Sequence, residues 1–399
     1  MKKIKLIIVI LLCLLALGAG IAILIKYIQP GTENPLEGQE HTDKTSHLKD
    51  PEVTNTPEVP TPTQVEPSKA PIPEVIVTAT PIPVEPIVLA FGGDVNLDEN
   101  SRPVAKYDLV GKDITKCLSS DLIEAMKAAD IMMINNEFAY STRGTKQDKS
   151  YTFRAHPDRV DILKELGVDI VSLANNHALD FGPDALLDTF DTLENAEIDY
   201  IGAGRNLDRA KAPIYYEIGD KKIAYIAASR VVFAMDWYAS KDGLGMVGTY
   251  DPTLILESVR EAEKNSDFVV IYLHWGVERV HYPVDYQRTL AKQYIDAGAD
   301  AVIGCHPHVM QGFEYYNGKP IAYSLGNYWF NRNTDKSGLL KLYLNEDDTV
   351  QVQINPTATK DTFSYFITDE AEKKSYLDFM NEISYNVKID DNGFVTPTE

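Results

Sequence analysis

The run Ile87-Val88-Leu89-Ala90-Phe91-Gly92-Gly93-Asp94-Val95-Asn96 carries five apolar residues directly into two glycines, a carboxylate and an amide. It is too short for a helix and apolar on both faces, so it reads as a buried strand that ends in polar side chains. Four further runs repeat the arrangement. Ile131-Met132-Met133-Ile134 delivers Asn135, Asn136 and Glu137, and Ile170-Val171-Ser172-Leu173-Ala174 delivers Asn175, Asn176 and His177. The run from Phe268 to Leu273 delivers His274, and Ala301-Val302-Ile303-Gly304 delivers His306 and His308. Between them, apolar residues spaced three and four apart predict helices over 118–129, 158–166, 184–195, 252–264 and 284–297, with Gly167 and Gly298 where helices stop. Alternation of buried strands and amphipathic helices is the pattern of an α/β domain.

Strands joined through helices run parallel, and their carboxyl ends then lie along one edge, where loops gather. Asp94, Asn96, Glu137, Asn176, His177, His274, His306 and His308 are therefore expected at one cleft. Singly, each has a structural explanation: a helix cap, a turn residue, a satisfied interior histidine. Together they do not, because four of the six histidines beyond residue 86 follow expected strands directly. Oxygen and imidazole donors gathered from many strand ends suit a pair of divalent cations sharing one carboxylate. Carboxylates and amides favour Mg or Mn, and the histidines move preference toward Mn, Fe or Zn.

Outside this region the chain changes character. Lys2, Lys3 and Lys5 precede an unbroken apolar stretch from Leu6 to Ile25, long enough to cross a bilayer, and the lysines place the N-terminus in the cytoplasm. A cleaved signal peptide is the competing reading, with Gly18, Ala19 and Gly20 small enough for a peptidase; Ile21 to Ile25 prolong the run beyond a usual signal core and favour an anchor. Cys13 lacks a small-residue box before it, which argues against lipoprotein processing. Residues 29–86 hold 12 of the 22 prolines and no aromatic residue, so a disordered linker is expected there, whose reach if polyproline-like is on the order of 150–180 Å.

The net charge of −21 divides as +4 over residues 1–28, −7 over 29–86 and −18 over the rest. No basic run is present, which excludes duplex nucleic acid as a partner. The same excess gives cations something to bind and makes a polyanionic substrate awkward unless metal or arginine reverses the local field. Cys117 and Cys305 are read as isolated buried thiols rather than a disulfide.

The ordered motifs Gly93-Asp94-Val95-Asn96, Asn135-Asn136-Glu137, Leu173-Ala174-Asn175-Asn176-His177, Leu273-His274-Trp275-Gly276, Gly304-Cys305-His306-Pro307-His308 and Ser324-Leu325-Gly326-Asn327, with Tyr151-Thr152-Phe153-Arg154-Ala155-His156-Pro157 among them, resemble the CapA family of capsule and poly-γ-glutamate synthesis proteins. The fold of that family is similar to the calcineurin-like metallophosphatases. The resemblance implies a layered α-β-β-α metallophosphatase-like fold, preceded by a transmembrane helix and a disordered linker. The organisation expected is an anchor over 1–28, a linker over 29–85, a CapA-like domain over 86–345 and a C-terminal strand and helix extension over 346–399.

By position, the resemblance implies one metal on Asp94, Glu137 and His308 with Asn96 nearby, and a second on Glu137, Asn176, His274 and His306. Glu137 would bridge, and His177 would donate a proton or stabilise charge at the leaving-group oxygen while activated water attacks phosphorus in line. Arg154 is the candidate for neutralising a bound anion, or else forms a salt bridge at the sheet edge. Asn96 and Glu137 stand where the broader phosphatase fold has histidine and aspartate. Ala178 stands where that fold has the acid that orients the histidine. Hairpins are expected at Gly219-Asp220 and Asn317-Gly318, a helix over 369–384, packing roles or a place lining the cleft beside His274 for Trp275, Glu278 and Tyr282, with packing favoured, and a strand end at Asn327 within reach of the cleft.

The expected function is an extracytoplasmic, membrane-tethered protein acting in synthesis, export or attachment of an anionic surface polymer such as poly-γ-glutamate. A dinuclear site would be capable of hydrolysing a phosphoester or the polymer amide. The alternative is a non-catalytic, polyanion-binding accessory of a membrane synthase complex, and a purely structural module is the third reading.

Overall fold

The computed structural model describes residues 85–398. The anchor expected over 1–28, and all but the last residue of the linker, lie outside the described residues. Among the described residues no helix is long and apolar enough to cross a membrane.

Two large sheets form from the apolar runs. In the first, Ile87–Val95, Ile131–Asn136, Ile170–Ser172 and Asp199–Ile201 lie side by side and parallel. Thr334–Leu344 and Val350–Lys360 continue it antiparallel on the other flank of Ile87–Val95. In the second, Lys221–Ser229, Phe268–His274, Ala301–Cys305 and Lys319–Leu325 are parallel neighbours, closed by antiparallel outer strands Ile214–Ile218 and Met310–Tyr316. The outer strands are hairpin partners. Gly219-Asp220 turns one, and Asn317 and Gly318, both with positive φ, turn the other, as the two-residue turn requires.

Side-chain alternation along the strands decides what packs where. Leu89, Phe91 and Met133 point from the first sheet into a shared core with Tyr225, Val270, Tyr272 and Ile303 of the second. The intervening Ala90, Met132 and Ile134 face the other way, against Leu122, Met126, Leu163, Leu186 and Phe190 of helices Ser120–Lys127, Val160–Glu165 and Pro183–Asn195. On the far face of the second sheet, Val269, Ile271 and Val302 meet Val259, Leu290 and Tyr294 of helices Thr253–Asn265 and Asp285–Asp296. The described chain is thus a mixed α/β fold, sheet on sheet with helices outside.

Local differences from the sequence reading have local causes. The third strand stops at Ser172 instead of Ala174, because the chain turns at Leu173 and Asn175 N–H already donates to Leu173 O. The helix expected over 158–166 opens as a 3-10 turn, Pro157–Arg159, capped by the His156 side chain. Beyond residue 345 the chain adds more strand than expected: Val350–Lys360, Phe363–Phe366, Val387–Ile389 and Phe394–Pro397 all join the first sheet, beside the helix Glu370–Ile383. Cys117 and Cys305 are both buried and free.

One glycine brings the sheets' polar ends together. A Cβ on Gly93 would lie 1.9 Å from the carbonyl oxygen of Gly326, the same oxygen that accepts Asp94 N–H at 2.8 Å. Only a residue without a side chain permits that approach. The strand register slips on both sides of Asp94, a bulge that turns its carboxylate out of the ladder. Gly93→Ala is expected to cost about 2–3 kcal/mol of stability, measured by urea denaturation, because backbone rather than a flexible side chain must move. A loss under about 1 kcal/mol would mean the Gly326 strand end yields freely and does not fix Asp94.

Candidate metal centre

Parallel register sets the site. Asp94 lies beside Asn135 on the neighbouring strand, and His274 lies between Ser229 and Cys305 on its two neighbours. Glu137 follows the Ile131–Asn136 strand by one residue. His306 and His308 sit just beyond Ala301–Cys305, both with positive φ (97° and 57°). Non-glycine residues held there cost on the order of 1–3 kcal/mol each, a strain that persists where surrounding structure imposes it.

Asn135 is the hub. Its side-chain N–H group donates to Asp94 Oδ1 at 2.8 Å and lies 3.3 Å from both Glu137 Oε2 and His274 Nδ1. Its oxygen accepts from Asn175 Nδ2 at 3.0 Å, and Asn175 Oδ1 in turn accepts His177 N–H. One amide thus holds both carboxylates and a histidine in a pocket where Asp94, Glu137, Asn135 and His274 are fully buried.

The donors fall into overlapping groups. Ligand atoms of Asp94, Glu137 and His308 lie within 4.8 Å of one another, and so do those of Glu137, His274 and His306. Glu137 belongs to both. Asn176 Oδ1 is 2.8 Å from His274 Nε2 and so adjoins the second group. A third group, Asp94, His274 and Cys305, includes a thiol that burial and the nearby carboxylates push well up.

The residues fit cations. Glu137 Oε1 and His306 Nδ1 are buried without any hydrogen-bond partner. His177 Nε2 and His308 Nε2 face Glu137 Oε1 at 3.7 and 3.9 Å, too far for hydrogen bonds. Burial and the charge of Asp94 hold the Glu137 carboxyl well above its ordinary range. Burial would raise Asp94 too, but its bonds to His308 and Asn135 keep it below the usual range. Burial pushes His306 down to about 3 and holds His274 well below the imidazole range, so both are neutral, the form that binds metal. Positive charge at this point would satisfy the orphaned atoms and let both carboxylates ionise together.

A model of the family described as bacterial capsule synthesis protein PGA_cap matches residues 88–332, which include every residue of these groups. The chain belongs to that family. It is 34% identical over 236 residues to the PGA biosynthesis protein CapA of Bacillus subtilis, covering 58% of this chain and 62% of that protein. It is also 34% identical over 218 residues to the capsule biosynthesis protein CapA of Bacillus anthracis, covering 53% of each. The chain therefore matches between about half and two thirds of the length of these CapA relatives. In general outline it resembles the solved structure of a novel phosphatase from Mycoplasma pneumoniae, with a TM-score of 0.43 and 12% identity over 69% of this chain and 95% of that one.

Other residues named from the sequence lie differently within this capsule-synthesis fold. The Asn96 oxygen accepts Asp98 N–H at 2.8 Å, closing a turn, while its Nδ2 is buried without a partner. Arg154 forms no ion pair among the described residues: its guanidinium lies 4.0 Å from the centre of the Phe181 ring and donates to Arg143 O at 2.9 Å. Trp275 is fully buried and donates to Tyr323 O, whereas Tyr282 is half exposed. Asn327, opposite Asp94 in the sheet, accepts from His308 Nδ1 through its Oδ1 at 2.8 Å.

His177 does have an orienting acid, three residues on. Asp180 Oδ2 is 2.6 Å from His177 Nδ1, and Phe153 stacks on the imidazole at 4.2 Å. Burial lowers the His177 pKa, against the pull of Asp180. Asp180 is itself held by Phe153 N–H and by Lys149, whose ammonium reaches Asp180 Oδ1 at 2.7 Å and Asn176 O at 2.5 Å. Lys149 and Asp180 were not singled out from the sequence. The only signal was an acid three residues after a histidine, a spacing that places both on one side of a tight turn.

Lys149→Met would leave the fully buried Asp180 without its cation, and a loss of about 3–5 kcal/mol is expected by chemical denaturation. Asp180→Asn in the same chain should recover part of it. If Lys149→Met alone costs less than about 1 kcal/mol, the pair does not support the His177 turn.

Proposed function

We propose that this chain is a membrane-tethered, extracytoplasmic, metal-dependent hydrolase of capsule or polyglutamate biosynthesis, acting on an anionic surface polymer such as poly-γ-glutamate or on a phosphoester, beside a membrane synthase complex. The observation that carries the reading is Glu137, a buried carboxylate shared by two donor groups, with one oxygen lacking any partner. A metallophosphatase-like layering, with donors gathered at the strand ends of both sheets, is in keeping with it.

One cation would rest on Asp94, Glu137 and His308, and another on Glu137, Asn176, His274 and His306. Bound there, two divalent ions, Mn, Fe, Mg or Zn, supply Lewis-acid polarisation and a water acidic enough to attack at neutral pH. The chain's own residues supply position and the proton. Asn135 fixes the spacing of the carboxylates. Asp180 accepts a hydrogen bond from His177 Nδ1–H, so Nε2 faces the donor groups; in the charged form Nε2 carries the proton delivered to the leaving atom. Phe153 and Phe330 wall this face and exclude water.

The test is turnover of a phosphodiester and of poly-γ-glutamate by the full chain with added Mn²⁺. His177→Ala should lower turnover about 10²–10⁴-fold while metal content stays at the wild-type level. His274→Ala and His306→Ala should each reduce bound metal. Absence of turnover by the wild type, with polymer retention lost in both of these variants, would replace the hydrolase by the accessory role. Equilibrium dialysis showing no bound metal near neutral pH would remove both. The tether predicts that the chain stays with membranes through an alkaline carbonate wash, and release into the supernatant would overturn it.

A further inference from the structure

A groove leaves the metal centre on the side of His308 and Asn327. Its first part, about 370 Å³, runs from these two residues past His281 and Phe379 to the segment Arg332–Lys336. Its second part, about 570 Å³, begins on Asn333, Thr334, Asp335 and Lys336, which line both parts, and continues past Lys360 to the first turns of the Glu370–Ile383 helix. The two parts adjoin along Asn333–Lys336, which lines both. Together they lie mostly beyond the segment matched by the family model, which ends at residue 332.

The path carries cations at intervals: Arg332 near the metal centre, Lys336 midway and Lys360 in the far part. Some other cations of the described residues, such as Arg143, Arg159, Arg288 and Lys319, pair with carboxylates, while others, such as Arg154 and Arg230, rest on aromatic rings. These three form no ion pair among the described residues. Lys336 lies 5.2 Å from the Phe379 ring centre, and His281 meets the same ring edge-on at 5.1 Å, so an apolar floor separates the charges. Asp335 and Glu372 also line the path and disfavour a ligand of dense, continuous negative charge. In a folded region of net charge −18, unpaired cations spaced along a groove that opens on a metal centre need a physical account.

We infer that this groove binds an anionic polymer with regularly spaced carboxylates and apolar backbone between them, holding it in extended form with one segment at His308 and Asn327. The inference rests on the polymer reading above and adds its path. Carboxylates meet Arg332, Lys336 and Lys360 in turn, while methylene groups lie on Phe379. Poly-γ-glutamate has this chemistry, one carboxylate per residue separated by methylenes and an amide.

The experiment measures binding of long poly-γ-glutamate and of a γ-glutamyl trimer to the full chain and to Arg332→Glu, Lys360→Glu and Arg332→Glu/Lys336→Glu/Lys360→Glu, with metal content and melting temperature recorded for each. The triple variant should bind the long polymer at least about tenfold more weakly than wild type and lose most of its salt dependence, at unchanged metal content. Lys360→Glu should weaken the long polymer and leave the trimer unaffected. Wild-type affinity for the long polymer in the triple variant overturns the inference, as does wild-type chain that retains no polymer at low salt. Turnover is scored separately. If no substrate is hydrolysed but the charge reversals still release the polymer, the groove stands and the hydrolase reading falls.

Discussion

Two fully buried carboxylates, Asp94 and Glu137, are held together, and the rest of the centre answers to that. Asn135 bonds to the first at 2.8 Å and approaches the second at 3.3 Å, so neither can move away from the other. In such a pocket two negative charges cannot coexist unaided. The structure meets the problem on one side only: bonds to His308 and Asn135 hold the Asp94 carboxyl below its usual range, while burial and Asp94 hold Glu137 well above its own, with one oxygen unpartnered. Neutral imidazoles, strained backbone at positions 306 and 308, and the Asn135–Asn175 amide chain all follow from holding this arrangement in place.

The sheets convert sequence separation into proximity. Asp94 and Glu137 come from one sheet, His274 and His306 from the other, and the two sheets face each other through a common apolar core. Their polar ends meet because Gly93 lets the Asp94 backbone touch that of Gly326. Core packing and site geometry are therefore one constraint seen from two directions: Leu89 and Phe91 set the distance between sheets, and the residues that follow them inherit it.

Much of this was readable from residues because buried strands advertise themselves twice, by apolar runs and by the polar residues that stop them. Asp94, Glu137, His274 and the 306–308 pair stand directly after such runs, and they share donor groups in the fold. What escaped has a common cause, irregular backbone. Asp180 reaches His177 through a tight turn that no periodicity reports, and Lys149 arrives from a segment without regular structure. Arg154 reads from the sequence as an anion partner or a sheet-edge salt bridge; its guanidinium lies over the Phe181 ring and donates to the Arg143 carbonyl. The C-terminal strands were understated because short strands with mixed polarity show their pairing only once a partner edge exists.

That last feature has a practical side. Thr334–Leu344 is zipped along nearly its whole length to Val350–Lys360, and the helix Glu370–Ile383 packs Tyr376 and Met380 into the inter-sheet core. A fragment ended at residue 332, where the family match stops, would lose Thr334–Leu344 and bare the edge of Ile87–Phe91 that pairs with it, beside an uncovered apolar seam. The capsule-synthesis domain thus has a physical terminus well downstream of its evolutionary one, and expression boundaries belong after Pro397.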